Sequence, residues 1–347
     1  MARKPYRVEV YYPTRGRPKY YLVKDVAIGG KRRKVRKYLG VDQPTGDDVT
    51  RYRKEYGPWL ETQAVVAKSR ITAASFQSRY LGGFLEALEA VKHLNESVLS
   101  LLTINEVETY EKDFEISYIQ GTTSIEGNTL SLRQAGDLLT NGIAPKSKSL
   151  REINEVQNFR RVIQYRRSFK GKVSLDFVRT LHSMIMANID LESAGQFRRI
   201  DDVGITGCDL KVTPSSLVQE ELSEAIKEYY TRLEQGYHPF EEAVLFHYRF
   251  EMIHPFTDGN GRVGREILNY MLMKAHFPRL LFLGQHRTEY LDALRHGNRD
   301  QFGKLVLVFV HLLIGQRQKI LEERLKVVAS YQRKSGQLTL SDFVDSN

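Results

Sequence analysis

The sequence holds a single cysteine, Cys208, among its 347 residues. That excludes an intrachain disulfide and any metal centre built from several thiolates. Long hydrophobic runs are also missing. No apolar stretch reaches the roughly 18 residues that a membrane-spanning helix needs, and the opening MARKPYRVEV has no secretion-type apolar segment. These absences make a cytoplasmic protein with no membrane partner the expectation. Internal repeats and low-complexity segments are absent too, so an ordinary globular chain of two or three domains is expected.

Charge is present but unevenly placed. Residues 1–56 hold 16 Lys/Arg and 6 Asp/Glu, which accounts for the whole formal excess of +10. This marks a separate N-terminal module. Within it, 6–12 alternate with period two, Tyr20 to Ile28 read as a second strand, and Lys31 to Leu39 as a third. Gly29-Gly30 suits a hairpin turn between the last two. Lys31, Arg32, Arg33, Lys34, Arg36 and Lys37, with Tyr20, Tyr21 and Tyr38, are the residue types that grip phosphates and stack on bases, so nucleic acid is one partner expected of residues 1–56. The competing reading is a solvated edge strand guarded by lysines.

Beyond this module the pattern is helical. A helix is expected from Asp47 or Asp48 to about Lys68, kinked or divided at Pro58. Apolar residues recur at helical spacing in 84–94 and 107–118, and helices are expected over 132–139, 149–168, 174–188, 217–235, 239–253, 262–275, 287–297 and 300–327. Ser131 is a cap candidate, and Asn141-Gly142 ends the 132–139 helix. Val203, Ile205 and Val212 around Thr206-Gly207 suggest a short β-hairpin within 203–214.

The stretch from His254 to Arg265, HPFTDGNGRVGR, concentrates the chemistry. It reads as helix, Gly-rich loop, helix. Free backbone N–H groups opening a helix form an anion site. His254 is a candidate base toward a hydroxyl. Asp258 is a candidate ligand for a hard cation such as Mg2+, or an N-cap, or both. Gly259, Asn260 and Gly261 permit close approach of an oxyanion, and Arg262 and Arg265 fall on one side of the following helix. The lysine of a P-loop is missing, HExxH is missing, and the GxG follows a helix, unlike a dinucleotide fingerprint. The residues alone therefore point to magnesium-assisted chemistry on a nucleotide.

At every fixed position this stretch resembles the Fic-domain signature HPFx(D/N)GNGRxxR. Gly195-Gln196-Phe197-Arg198 resembles the family's G-x-[YF]-R segment, and Thr288 to Leu294 its late Tyr-containing helix. Thr122-Thr-Ser-Ile-Glu126-Gly127 resembles the inhibitory motif (S/T)xxxE(G/N). The resemblance implies a mainly α fold, a Fic helical core with a β-hairpin flap, preceded by the small basic β-rich module. The expected domains are 1–60 (β module, which the resemblance does not cover), 61–109 (helical extension), 110–330 (Fic domain, with its inhibitory helix at 110–128) and 331–347 (polar tail).

It also implies an activity, transfer of AMP from ATP to a Ser, Thr or Tyr hydroxyl of a protein, the chain itself included. His254 would deprotonate the hydroxyl and Asp258 would hold Mg2+. Gly259, Asn260 and Gly261 would cradle the α- and β-phosphates, while Arg262 and Arg265 bind the β and γ ends. Glu126 would inhibit by pairing with Arg265, and Val203, Gly204, Ile205 and Thr206 would align the target on the flap. Homodimers are common in the family. Three alternatives stay open: removal of AMP, transfer of another nucleotidyl or phospho group, and a nucleic-acid-binding regulator.

Overall fold

The computed structural model describes residues 6–99, 102–201, 203–204 and 212–316. The chain forms two compact units. The first begins with an antiparallel sheet of order β1-β2-β3, made of Arg7–Tyr11, Lys19–Ile28 and Lys31–Gly40. The expected strands and turn are all present. Gly29 and Gly30 both have positive φ, at 52° and 75°, as a two-residue hairpin with the right twist demands.

Leu22 and Val26 on β2 are buried on the face that meets helix α1 (Gly46–Ala73). Thr45 caps α1 in a reciprocal box with Asp48. α1 is continuous through position 58, so the expected division at Pro58 does not occur. Its packing on the sheet and on α2 (Leu85–Leu99) outweighs the cost of one missing backbone bond. A boundary at residue 60 would fall inside α1. Sheet, α1 and α2 instead make one unit.

The second unit holds 77–82 and runs from Thr103 to Leu313. It is mainly helical, with irregular chain over 187–201: α3 (Ile104–Ile125), α4 (Leu132–Asn141), α5 (Leu150–Ser168), α6 (Leu175–Met186), α7 (Val218–Glu234), α8 (Pro239–Ile253), α9 (Asn260–Lys274), α10 (Arg287–Asn298) and α11, which starts at 302 and is helical to 316. Sequence and structure agree closely at the caps. Thr103, Ser131 and Ser149 each close a capping box, and Gly142 ends α4 in the left-handed conformation. Residues 317–327 of the last expected helix, and the 331–347 tail, lie outside the described residues. No helix among the described residues is long and apolar enough to cross a membrane.

Two helices frame the signature loop. α8 leads into it and α9 leaves it, and their inner faces carry buried Phe250, Ile253, Val263, Ile267 and Leu268. α3 docks on α9 through a buried polar knot. The Tyr118 hydroxyl donates to Glu266 at 2.8 Å, and Arg166 from α5 donates to the same carboxylate at 2.9 Å. Lower down, α3 presses against the backbone of Phe282. A Cβ on Gly121 would lie 2.0 Å from that carbonyl oxygen, so only glycine fits. Arg166→Met leaves the Glu266 carboxylate buried without its cation. It should cost about 3–5 kcal/mol of stability, read as a lower denaturant midpoint at unchanged slope.

Candidate active site

His254 closes α8 in the left-handed conformation, φ 50° and ψ 60°. A non-glycine residue holds that geometry only when its surroundings fix it. Here Arg198 fixes it. The Arg198 Nε donates to the His254 carbonyl at 2.7 Å and its backbone N–H to the Pro255 carbonyl at 3.0 Å, while its guanidinium also donates to the carbonyls of Ile200 and Thr213. The imidazole is buried, with Nδ1 3.3 Å from the Glu251 carbonyl. A carbonyl only accepts, so Nδ1 carries the proton and Nε2 is left with its lone pair. Burial holds the His254 pKa below its ordinary value, which keeps the ring neutral and able to take a proton.

The loop is built before any ligand arrives. Phe256 is fully buried and stacks on His182 at 3.7 Å between ring centres. His182 in turn accepts from the Gly195 N–H at 2.8 Å and donates to the Asp258 carbonyl at 3.0 Å. Burial pushes its pKa down to about 4, so it stays neutral in this role. Asn260 accepts from the Phe256 N–H at 2.9 Å and donates to the Phe256 carbonyl at 2.7 Å. Its side chain is therefore engaged in loop shape, whereas the sequence reading expected it to cradle phosphate. The backbone N–H groups that open α9 remain for an anion, since a helix's first turn has no internal partners for them. Gly259 caps that helix at φ 81°.

Charges alternate around the loop. Asp258 pairs with Arg262 at 2.9 Å and with Arg151 from α5, while Arg262 also reaches Glu155 at 3.2 Å. Burial raises the Asp258 pKa, but the neighbouring Arg262 and Arg151 and the Gly259 N–H bring it below the ordinary carboxylate value. Among the described residues no group of three or more ligating side chains could hold a metal ion. Asp258 offers one carboxylate beside the anion loop, a donor set that fits Mg2+ only when phosphates supply further oxygens.

Arg265 has no solvent exposure. Its Nε donates to the Thr122 hydroxyl at 2.9 Å, and Nη2 donates to the Thr122 carbonyl at 2.8 Å and to Glu126 at 2.7 Å. Glu126 caps α3, and the Tyr290 ring lies 5.6 Å from the guanidinium. A Cβ at Gly261 would sit 2.3 Å from the Glu126 carboxylate and 2.8 Å from Arg265 Nη1. So this glycine admits the ion pair. Glu126 keeps 37% side-chain exposure and faces a cleft of about 470 Å³, within the usual range for small-molecule sites. His254, Asp258, Gly259, Asn260, Gly261, Arg265, Glu126 and Gly127 all line it, with Gly204, Glu251 and Tyr290. Val203 and Gly204 lie in no strand, and Ile205 and Thr206, with most of the expected hairpin, lie outside the described residues.

Residues 172–272 match the Fic/DOC family. The chain is 30% identical over 244 residues to protein adenylyltransferase fic-1 of Caenorhabditis elegans, a match covering 68% of this chain and 46% of that protein. It is 28% identical over 277 residues to protein adenylyltransferase Fic of Nematostella vectensis, covering 73% and 64%. The chain thus spans about half the length of the curated relatives it matches. Among solved structures, a fragment of C. elegans Fic-1 aligns with a TM-score of 0.59 at 23% identity over 80% of this chain and 84% of the fragment. A Fic-domain signalling protein from Bacteroides thetaiotaomicron aligns at 0.59 and 22%, over 67% and 96%. These structural likenesses are of fold.

Asn260→Ala removes two buried hydrogen bonds and strands the Phe256 N–H and carbonyl. A loss of about 2–3 kcal/mol is expected by denaturant unfolding.

Proposed function

The chain carries a Fic/DOC domain, and on that footing we propose that it is a protein adenylyltransferase, moving AMP from ATP to a Ser, Thr or Tyr hydroxyl of a protein. The observation that carries this reading is the His254 ring, whose Nε2 is left with a lone pair at the mouth of a helix-terminal anion loop. The target oxygen attacks the α-phosphorus while its proton passes to His254 Nε2. The bond from that phosphorus to the β-phosphate oxygen breaks, and pyrophosphate leaves. The first-turn N–H groups of α9 face the phosphates, and Arg262 and Arg265 meet the β and γ ends. Asp258, together with the phosphates, would hold Mg2+, which would supply neutralisation of charge on the leaving group. Residues around 110–313 are the catalytic part in this reading.

Glu126 opposes the reaction. It occupies the fork of Arg265 that a terminal phosphate needs, and one guanidinium edge cannot serve both. With Mg2+ and labelled ATP, His254→Ala should lower label transfer roughly 10²–10⁴-fold, and Glu126→Gly should raise it about tenfold or more. Transfer should hold its plateau as pH falls through 6.5 and decline only in more acid solution, because the working form is neutral and the His254 pKa is lowered from that value. Labelling by both variants at the parent level overturns the reading. Mass spectrometry of the product separates AMP addition from transfer of another group, and loss of label from a pre-modified target reveals removal.

A second reading concerns the sheet. Register and alternation place Arg7, Glu9, Tyr11, Tyr21, Arg32, Lys34, Arg36 and Tyr38 on the face opposite α1. Glu9 binds Arg7 at 2.6 Å and Lys34 at 2.8 Å. On this face Arg32 makes no ion pair among the described residues, and Arg36 stands 3.7 Å from Glu9. Lys37, in contrast, is spent on the other face, 4.9 Å from the Tyr56 ring and 5.1 Å from Trp59. This surplus favours nucleic acid binding by the open face. Changing Arg32, Lys34 and Arg36 together to Glu should weaken binding to a short DNA duplex or single strand and flatten the parent's salt dependence by about three counterions. Unchanged affinity returns the face to a solvated surface.

A further inference from the structure

Two carboxylates line the cleft beside Arg265, and only Glu126 makes an ion pair with it. The other is Glu251 on α8. It is buried, and its Oε1 has no hydrogen-bond partner among the described residues. Arg265 Nη1 is likewise buried and without a partner. Glu251 reaches inward only because α9 carries glycine at 264, where a Cβ would lie 2.5 Å from Oε1. The groups facing it are Arg265 on α9, Tyr290 on α10, Glu126 at the end of α3, and His247 on its own helix, 3.9 Å away. His247 is no counterion. Burial drives its pKa down to about 3, and its Nε2 is engaged with the Tyr290 hydroxyl at 3.0 Å.

A buried carboxylate with an uncommitted oxygen is costly unless a cation needs it. We infer that Glu251 is a positioning residue for Arg265: it is the standing counterion that holds the guanidinium in place while Glu126 and a terminal phosphate exchange on its other side. The inference rests on the adenylyltransferase reading of the loop. It explains why Arg265 need not collapse toward a new partner when Glu126 leaves.

The test measures binding of ATP and of ADP, whose affinity ratio isolates the γ-phosphate and cancels the titration of His254. In a Glu126→Gly background at pH 8 with Mg2+, Glu251→Gln should lower the ATP-to-ADP ratio about tenfold with ADP affinity unchanged. Should Glu251→Gln lose the native thermal transition, Glu251→Asp, which retracts the carboxylate, must lower the ratio with that transition intact. An unchanged ratio in a folded variant overturns the inference. If Glu126→Gly alone binds neither nucleotide, the nucleotide reading of the loop falls, and this inference with it.

Discussion

A guanidinium with no solvent exposure is the constraint around which the catalytic unit is arranged. Arg265 cannot lose its charge, so every neighbour must accommodate it. Thr122 takes two of its donors, Glu126 a third interaction, and Tyr290 offers its ring face. Satisfying the arginine in this way brings the end of α3 to the mouth of the anion loop. If Glu126 inhibits as proposed, the contacts that satisfy the arginine and those that block the site are the same interaction.

The glycines of the signature divide into two kinds. Gly259 is required by its own backbone, since α9 begins from a left-handed residue. Gly261 and Gly264 are helical and are required by their neighbours, one by Glu126 and the other by Glu251. A loop that looks uniformly suited to phosphate therefore reserves two of its glycines for carboxylates. Asn260 follows the same logic. Its amide fixes the turn at Phe256, and the turn presents the backbone to the anion.

Much of this was legible in the sequence because it is local. Capping residues, hairpin glycines and the 3.6-residue period located strands and helices to within a few positions. The signature is contiguous, and Glu126 is carried by a short motif. What escaped is what the fold brings from a distance. Arg151 and Glu155 read as an ordinary i,i+4 pair on α5, yet they hold Asp258 and Arg262. His182 is a lone histidine in an amphipathic helix, yet it seats Phe256. Arg198 could be quoted from its segment, but its job as a staple of the His254 turn exists only in three dimensions. Pro58 misled in the opposite direction, because a local rule yielded to packing on a sheet.

Tyr118 and Gly121 restrict how α3 can move. The tyrosine is bound to Glu266, and at Gly121 the helix backbone rides directly on Phe282. Neither sliding nor lifting of the whole helix is compatible with both. On the proposed reading of Glu126 as inhibitor, the part left to move is the terminal turn beyond residue 121, which ends at Glu126. Freeing Arg265 then asks for displacement of a few residues and no domain rearrangement, so an effector need only hold that turn aside.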